Sequence, residues 1–228
     1  MRRRATPDLR CPLCGLHRTL CLCAEVPVVH TRTRVVLVLH QREALRCSNT
    51  GRLAVRCLPN SIVVAHGRLS ADAGLGREVV TSAPYPWQTS TGPCVVLSPR
   101  DDARPVEDWR DQPALTLIVP DGTWREVARA RLRLPGLGEL PSAIVPSGPA
   151  LYPLRCDARP GRLGTMEALI RALGVLEGDH VCEPLQTILR AAFERTRQMR
   201  GRSAATGGRP WPPRPAAALQ TATPRHSR

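Results

Sequence analysis

Residues 115–124 read LTLIVPDGTW, and this stretch decides the fold. Leu115 to Asp121 is nearly unbroken apolar sequence, without the alternation of a sheet that faces water on one side, so it reads as a strand covered on both faces. Past Asp121 the period changes. Trp124, Val127, Ala128 and Leu132 recur near helical spacing, and Pro135 with Gly136 stops the helix. The same strand-to-helix succession repeats outward in both directions. Toward the N-terminus lie VVLVLH (Val35 to His40), SIVVAH (Ser61 to His66) and CVVLSP (Cys94 to Pro99), with a helical pattern from Asn49 to Leu58. Toward the C-terminus, SAIVPS (Ser142 to Ser147) precedes helical spacings in Met166, Leu169, Ile170 and Leu173, then in Leu185, Ile188, Leu189, Ala192 and Phe193. Apolar strands alternating with amphipathic helices specify an α/β fold with a mostly parallel sheet covered on both faces. Ligands of such sheets sit beyond the carboxyl ends of the strands.

The chain has 228 residues, 42% of them hydrophobic, enough for one main core with a small accessory module. Its 33 basic residues face 19 acidic ones, a net charge of +14, and every base is arginine. Biased codon usage explains the choice of arginine but not the excess over Asp and Glu, which points to a polyanionic partner. No run of 18 apolar residues exists, so no membrane span is expected. Asp8, Arg10 and two cysteines stand where a signal peptide would carry its apolar region, so the expected location is cytoplasmic. Of nine cysteines, four crowd into positions 11 to 23, and Cys47, Cys57, Cys94, Cys156 and Cys182 scatter through apolar runs. That distribution reads as a reducing compartment, with the scattered five as small core hydrophobes. Three segments are expected: a cysteine-rich zinc module over 1–30, an α/β domain over 31–200, and a disordered basic tail over 201–228.

Cys11, Cys14, Cys21 and Cys23 spell CxxCxxxxxxCxC. A tetrahedral zinc ion takes four thiolates; CxxC presents two from one tight turn, and the CxC pair completes the shell. Structural zinc is therefore expected, supplying much of the order of a thirty-residue segment that has no core of its own. The alternative is a set of unrelated buried or redox cysteines. His17 lies between the pairs and is expected in solvent.

Asp121 puts a carboxylate at a strand mouth beside Gly122, which permits close backbone approach; this is a general base or ligand hook, or else an ordinary turn. Thr123 with Glu126 fits a capping box, which by itself accounts for Thr123. Thr165 and Glu167 open the next helix, where Thr165 can cap and Glu167 favours the dipole. The same donors can hold a carboxylate while Glu167 meets an ammonium, as an amino-acid zwitterion requires. Tyr152 and Arg155 precede this turn in LYPLRCDAR. In the first half, Ser48 or Asn49 is an N-cap; Thr50 and Gly51 follow, the glycine poor for helix propensity, and Arg52 beside open backbone donors suits a phosphate or carboxylate. Ser98 and Pro99 form a rigid turn that flanks a ligand or merely ends the strand. The dinucleotide, P-loop, zinc-protease and serine-hydrolase signatures are absent from the chain.

Taken in order, CPLC with CLC, the His and Glu of HQRE, SNTGRLA, VVLSP, DGTW, LYPLR and TMEA resemble the DTW-domain family over roughly residues 10 to 198. Gln41 stands where that pattern has proline after the histidine, and Ser98 where it often has tyrosine. The resemblance implies a SPOUT-related fold with a knotted cofactor site, an exception to the rule against threaded chains. It also implies a tRNA-uridine aminocarboxypropyltransferase, which moves the 3-amino-3-carboxypropyl group of S-adenosylmethionine to N3 of a uridine and leaves methylthioadenosine. The partner is then tRNA. The N3 proton requires a base, for which Asp121 is the first choice and Glu167 the second. Thr165 and Glu167 would hold the zwitterion, with Ser98, Pro99, Asp121, Gly122, Thr123 and Trp124 around the donor. Asn49, Thr50, Gly51, Arg52 and Arg155 would meet the RNA. A zinc-dependent, non-enzymatic RNA-binding protein and an RNA methyltransferase of the same fold are the alternatives. Two acidic strand-end turns beside glycine and threonine speak against the first of these.

Overall fold

The runs that lack polar alternation become strands buried on both sides. A computed structural model describes residues 9–44, 46, 49–67, 77–148 and 163–199. Its strands are β1 (Arg34–His40), β2 (Ser61–His66), β3 (Val79–Val80), β4 (Cys94–Leu97), β5 (Arg104–Pro105), β6 (Thr116–Asp121) and β7 (Ser142–Ile144). They form one sheet in the order β3-β2-β1-β6-β4-β7-β5, with every pair parallel. The helices are α1 (Gln41–Ala44), α2 (Thr50–Cys57), α3 (Pro86–Thr89), α4 (Trp124–Arg133), α5 (Thr165–Leu176) and α6 (Asp179–Met199).

Successive residues of each strand feed opposite layers. Val35, Leu37, Leu39, Val63 and Leu117 join Leu53, Met166, Leu173, Leu185 and Leu189 of α2, α5 and α6 in the larger core. Val36, Val38, Ile62, Val64 and Ile118 pack instead on Trp87, Ala130 and Leu134, below α3 and α4. Fully burying a side chain of this kind contributes about 1.5–3 kcal/mol, a term the central strands share with α2, α5 and α6. Leu16 and Leu22 of the cysteine segment enter the larger core, so that segment is seated on the sheet domain. Gly174 lets α5 and α6 approach closely: a Cβ there would overlap Cys182 Sγ.

The elements run slightly shorter than their sequence patterns. CVVLSP leaves the ladder after Leu97 and SAIVPS after Ile144, because Pro99 and Pro146 carry no N–H to extend it. Asn49 and Leu58 are caps of α2 and not part of it. The two-residue strands β3 and β5, and the single-turn helices α1 and α3, are too short to imprint a period. Ser48, Cys47, Cys156, the LYPLR segment with Arg155, and the 201–228 tail lie outside the described residues. So does the stretch 149–162.

Register brings the chemistry to one edge. Leu39 pairs with both Ala65 and Asp121, and His40 pairs with His66. His40, His66 and Asp121 therefore finish together at the carboxyl edge of three adjacent strands. The chain runs outward from β1 through β2 to β3, then crosses to β4 and β5 on the other side of β1 before β6 fills the place between β1 and β4. Such a reversal of strand order opens a crevice at the strand ends.

Candidate active site at the carboxyl edge of the sheet

Asp121 is buried, 6% exposed, and both of its carboxylate oxygens are engaged. Asn49 Nδ2 donates to Oδ2 at 2.6 Å, and Thr165 Oγ1 donates to Oδ1 at 2.6 Å. Both partners start helices. Asn49 caps α2, accepting from Arg52 N at 2.8 Å through its own Oδ1, and Thr165 is the first residue of α5. Thr50 Oγ1 accepts from Met166 N at 3.4 Å, joining the two helix starts directly. Charge-assisted bonds of this kind are the strong ones, and the positive ends of two helices lie beside an anion. Gly51 is required by the same cluster: a Cβ would stand 2.5 Å from Asp121 Oδ2 and 3.1 Å from Leu37 Cδ1.

Beside this cluster lies a cavity of about 370 Å³, within the size class of small-molecule sites. Leu97, Val119, Pro120, Ala143 and Ile144 supply its apolar walls, and Ser98, Pro99, Gly122, Thr123, Trp124 and Thr165 its polar and turn residues. Three separate strand ends, those of β4, β6 and β7, thus meet two helix starts, those of α4 and α5. Arg171, which the sequence pattern left unmarked, also lines it. Its guanidinium donates to Pro146 O at 3.1 Å and pairs with Glu167 Oε1 at 2.9 Å. Glu167 itself is 1% exposed and does not line the cavity. Arg52 reaches neither cavity nor Asp121: it donates to Ala44 O at 2.9 Å and to Pro12 O at 3.1 Å, tying α2 to the cysteine turn.

A second polar cluster, whose members the sequence offered only as a helix cap and strand-end histidines, lies behind the DGTW turn. His40 Nδ1 stands 3.2 Å from Glu126 Oε1, and the His40 and His66 rings are 5.4 Å apart. Glu126 completes the capping box by accepting from Thr123 N at 2.8 Å. Burial raises the Glu126 carboxyl, but Thr123 backbone and hydroxyl donors and the charges of His40 and Arg42 outweigh it and hold it below the usual range. Burial, with His40 and Arg133 adding to it, pushes His66 down. The available signal was that VVLVLH and SIVVAH both end in histidine.

The four N-terminal cysteines converge. Their sulfurs all lie within 4.8 Å of one another, with Cys11–Cys23 at 3.5 Å and Cys14–Cys21 at 3.8 Å. A tetrahedral zinc with Zn–S bonds of about 2.3 Å sets its sulfurs roughly 3.8 Å apart, so the set fits that ion. Gly15, at φ +72°, turns the chain directly after the first pair, and its N–H donates to Cys11 O at 2.9 Å. Burial raises the Cys11 thiol, but N–H groups of Cys14 and Leu13 and the neighbouring sulfurs outweigh it and hold it at about 6. His17 bonds with Thr19 at 2.7 Å and is not part of the set. Cys57 and Cys182 are buried core thiols, pushed by burial up to about 12 and about 11. Cys94 is only partly buried, against the smaller core.

The fold is an open, all-parallel α/β sheet, with a carboxylate clamp and a cavity of small-molecule size side by side at its carboxyl edge. The chain belongs to the DTW domain family, whose pattern matches residues 8–197. Among solved structures it is similar to the SAM-dependent rRNA:acp-transferase Tsr3 from Vulcanisaeta distributa. The two share 17% sequence identity over 73% of this chain and 79% of that one, with a TM-score of 0.48. Among the described residues no helix is long and apolar enough to cross a membrane.

Proposed function

We propose that this protein transfers the 3-amino-3-carboxypropyl group of S-adenosylmethionine to N3 of a tRNA uridine, with release of methylthioadenosine. The observation that carries this reading is the cavity, in a DTW domain, where VVLSP, DGTW and TMEA meet. Bound there, S-adenosylmethionine supplies a sulfonium-activated carbon, and the protein selects among three such carbons by which one it holds in line with the nucleophile.

The residues divide that work. Leu97, Val119 and Ile144 give the apolar bed, with Ser98, Pro99, Gly122, Thr123 and Trp124 around it. Arg171, held by Glu167, is the partner for the carboxylate of the zwitterion. Thr165 lines the cavity and donates to Asp121, so the hydroxyl receives the uridine proton while passing its own to Asp121 Oδ1. Asp121 is then the terminal proton acceptor, acting through Thr165, and Asn49 holds its other oxygen in place. The uridine is unpaired or flipped, since N3 is engaged inside a duplex. The zinc-bound turn braces α2, and the reaction takes place in the cytoplasm.

The test is incubation with tRNA and S-adenosylmethionine labelled separately in the methyl and carboxyl positions. Carboxyl label on RNA without methyl label is the expected result. Methyl label on RNA would replace this reading by methylation, and absence of both labels together with no donor binding would leave a non-enzymatic RNA-binding protein.

A further inference from the structure

Helix α4 begins at the cavity and leads away from it across the smaller core. Only one arc is used for packing: Ala130 and Leu134 enter the core, and Arg131 donates to Leu140 O at 2.9 Å and Ser142 Oγ at 3.3 Å. The remaining arc is divided into two lanes at helical i, i+4 spacing. One is Trp124, Ala128 and Leu132, of which Trp124 is 49% and Leu132 86% exposed. The other is Arg125, Arg129 and Arg133, all exposed. Among the described residues the guanidinium groups of these three make no hydrogen bond or ion pair. Arg100, Arg104 and Arg195, by contrast, are paired with Asp102, Asp108 and Glu25.

We propose that the α4 lanes are the landing surface for the RNA substrate, with Arg125, Arg129 and Arg133 on successive phosphates and Trp124 against an unpaired base at the cavity mouth. The inference rests on the RNA-modifying reading above and adds where the RNA lies. Charge selects the partner: three cations spread over about 12 Å of helix match a polyanion. A second copy docking by the same face would set its own arginines against these, which like-charge repulsion opposes. Trp124 is the only one of the six that also lines the cavity, so a base stacked on it is delivered to the site. The net charge of +14 acts at long range, whereas this face supplies direction.

The experiment measures binding of fluorescently labelled tRNA to the full chain across a salt series, with donor binding measured separately by calorimetry. Arg125→Gln, Arg129→Gln and Arg133→Gln combined keep a good helix former at each position. They are expected to flatten the slope of log affinity against log salt by about 2 to 3. The Michaelis constant for RNA should rise while donor affinity stays unchanged. A control replacing the paired Arg32 and Arg104 with Gln should leave the slope nearly intact. If the wild-type chain binds RNA and the triple variant binds it with the same slope, this surface is overturned while the proposed activity stands. Failure of the wild-type chain to bind any RNA removes the activity as well. A wild-type dimer that Leu132→Glu dissociates, with RNA affinity unmoved, assigns the face to a second copy instead.

Discussion

Gly51→Ala sets two effects of known sign against each other. Alanine in place of glycine favours a helix by up to about 1 kcal/mol. At this position the added Cβ would stand 2.5 Å from Asp121 Oδ2, well inside the roughly 3.3 Å at which carbon and oxygen touch. The carboxylate cannot yield freely, because Asn49 and Thr165 hold both oxygens at 2.6 Å. Losing the bond from Asn49 to this buried anion costs about 1.5–3 kcal/mol. The net expectation is destabilisation by about 0.5–2 kcal/mol. Activity falls further, since an ångström of misplacement at a reacting group costs on the order of 100-fold. Urea midpoints and methylthioadenosine release measure the two quantities. In an Asp121→Ala background the carboxylate contact is gone and only the 3.1 Å approach to Leu37 Cδ1 remains, so the destabilisation by Gly51→Ala should shrink by about 1 kcal/mol or more. A Gly51→Ala protein that is more stable than the wild type and turns over at full rate would refute the clamp.

Thr165→Val keeps the shape of the side chain but removes the hydroxyl; single-turnover rates are expected to drop about 100-fold or more, with Thr165→Ser restoring most of the loss. Replacing Cys11 and Cys14 together with serine should abolish stoichiometric zinc in elemental analysis. Because Arg52 bonds to Pro12 and Leu13 carbonyls, the loss should also lower the thermal midpoint of the whole domain. His66 is buried with its pKa below the ordinary 6.5. As pH falls below about 6.5 the unfolded chain takes up a proton that the folded one refuses, so the His66 contribution is flat above about 6.5 and declines as pH falls from there toward the lowered folded value. Urea midpoints at several pH values should show that slope in the wild type and a shallower one in His66→Gln; equal slopes would remove His66 from the account.

How much of this was legible without a structure follows from the range of each signal. The strands and long helices were readable because apolar period is a property of neighbouring residues. VVLVLH, LTLIVP and the Met166-to-Leu173 spacing each declare their element alone. The cysteine set was readable for the same reason: CxxC and CxC are local. Asp121, Thr123 and Thr165 could be singled out as strand-end and helix-start residues, but their mutual arrangement could not. Asn49 and Asp121 are 72 residues apart, and Thr165 and Asp121 are 44 apart.

Only the sheet register and the seating of α2 and α5 bring those positions together. They give Gly51 its steric reason, assign Arg52 to backbone carbonyls, and bury Glu167 beneath Arg171. The pairing of His40 with His66 is likewise a consequence of register. Period and spacing thus determined which elements exist and which side chains end them. Contact between distant elements, which depends on how strands order themselves in the sheet, decided which of those side chains share a site.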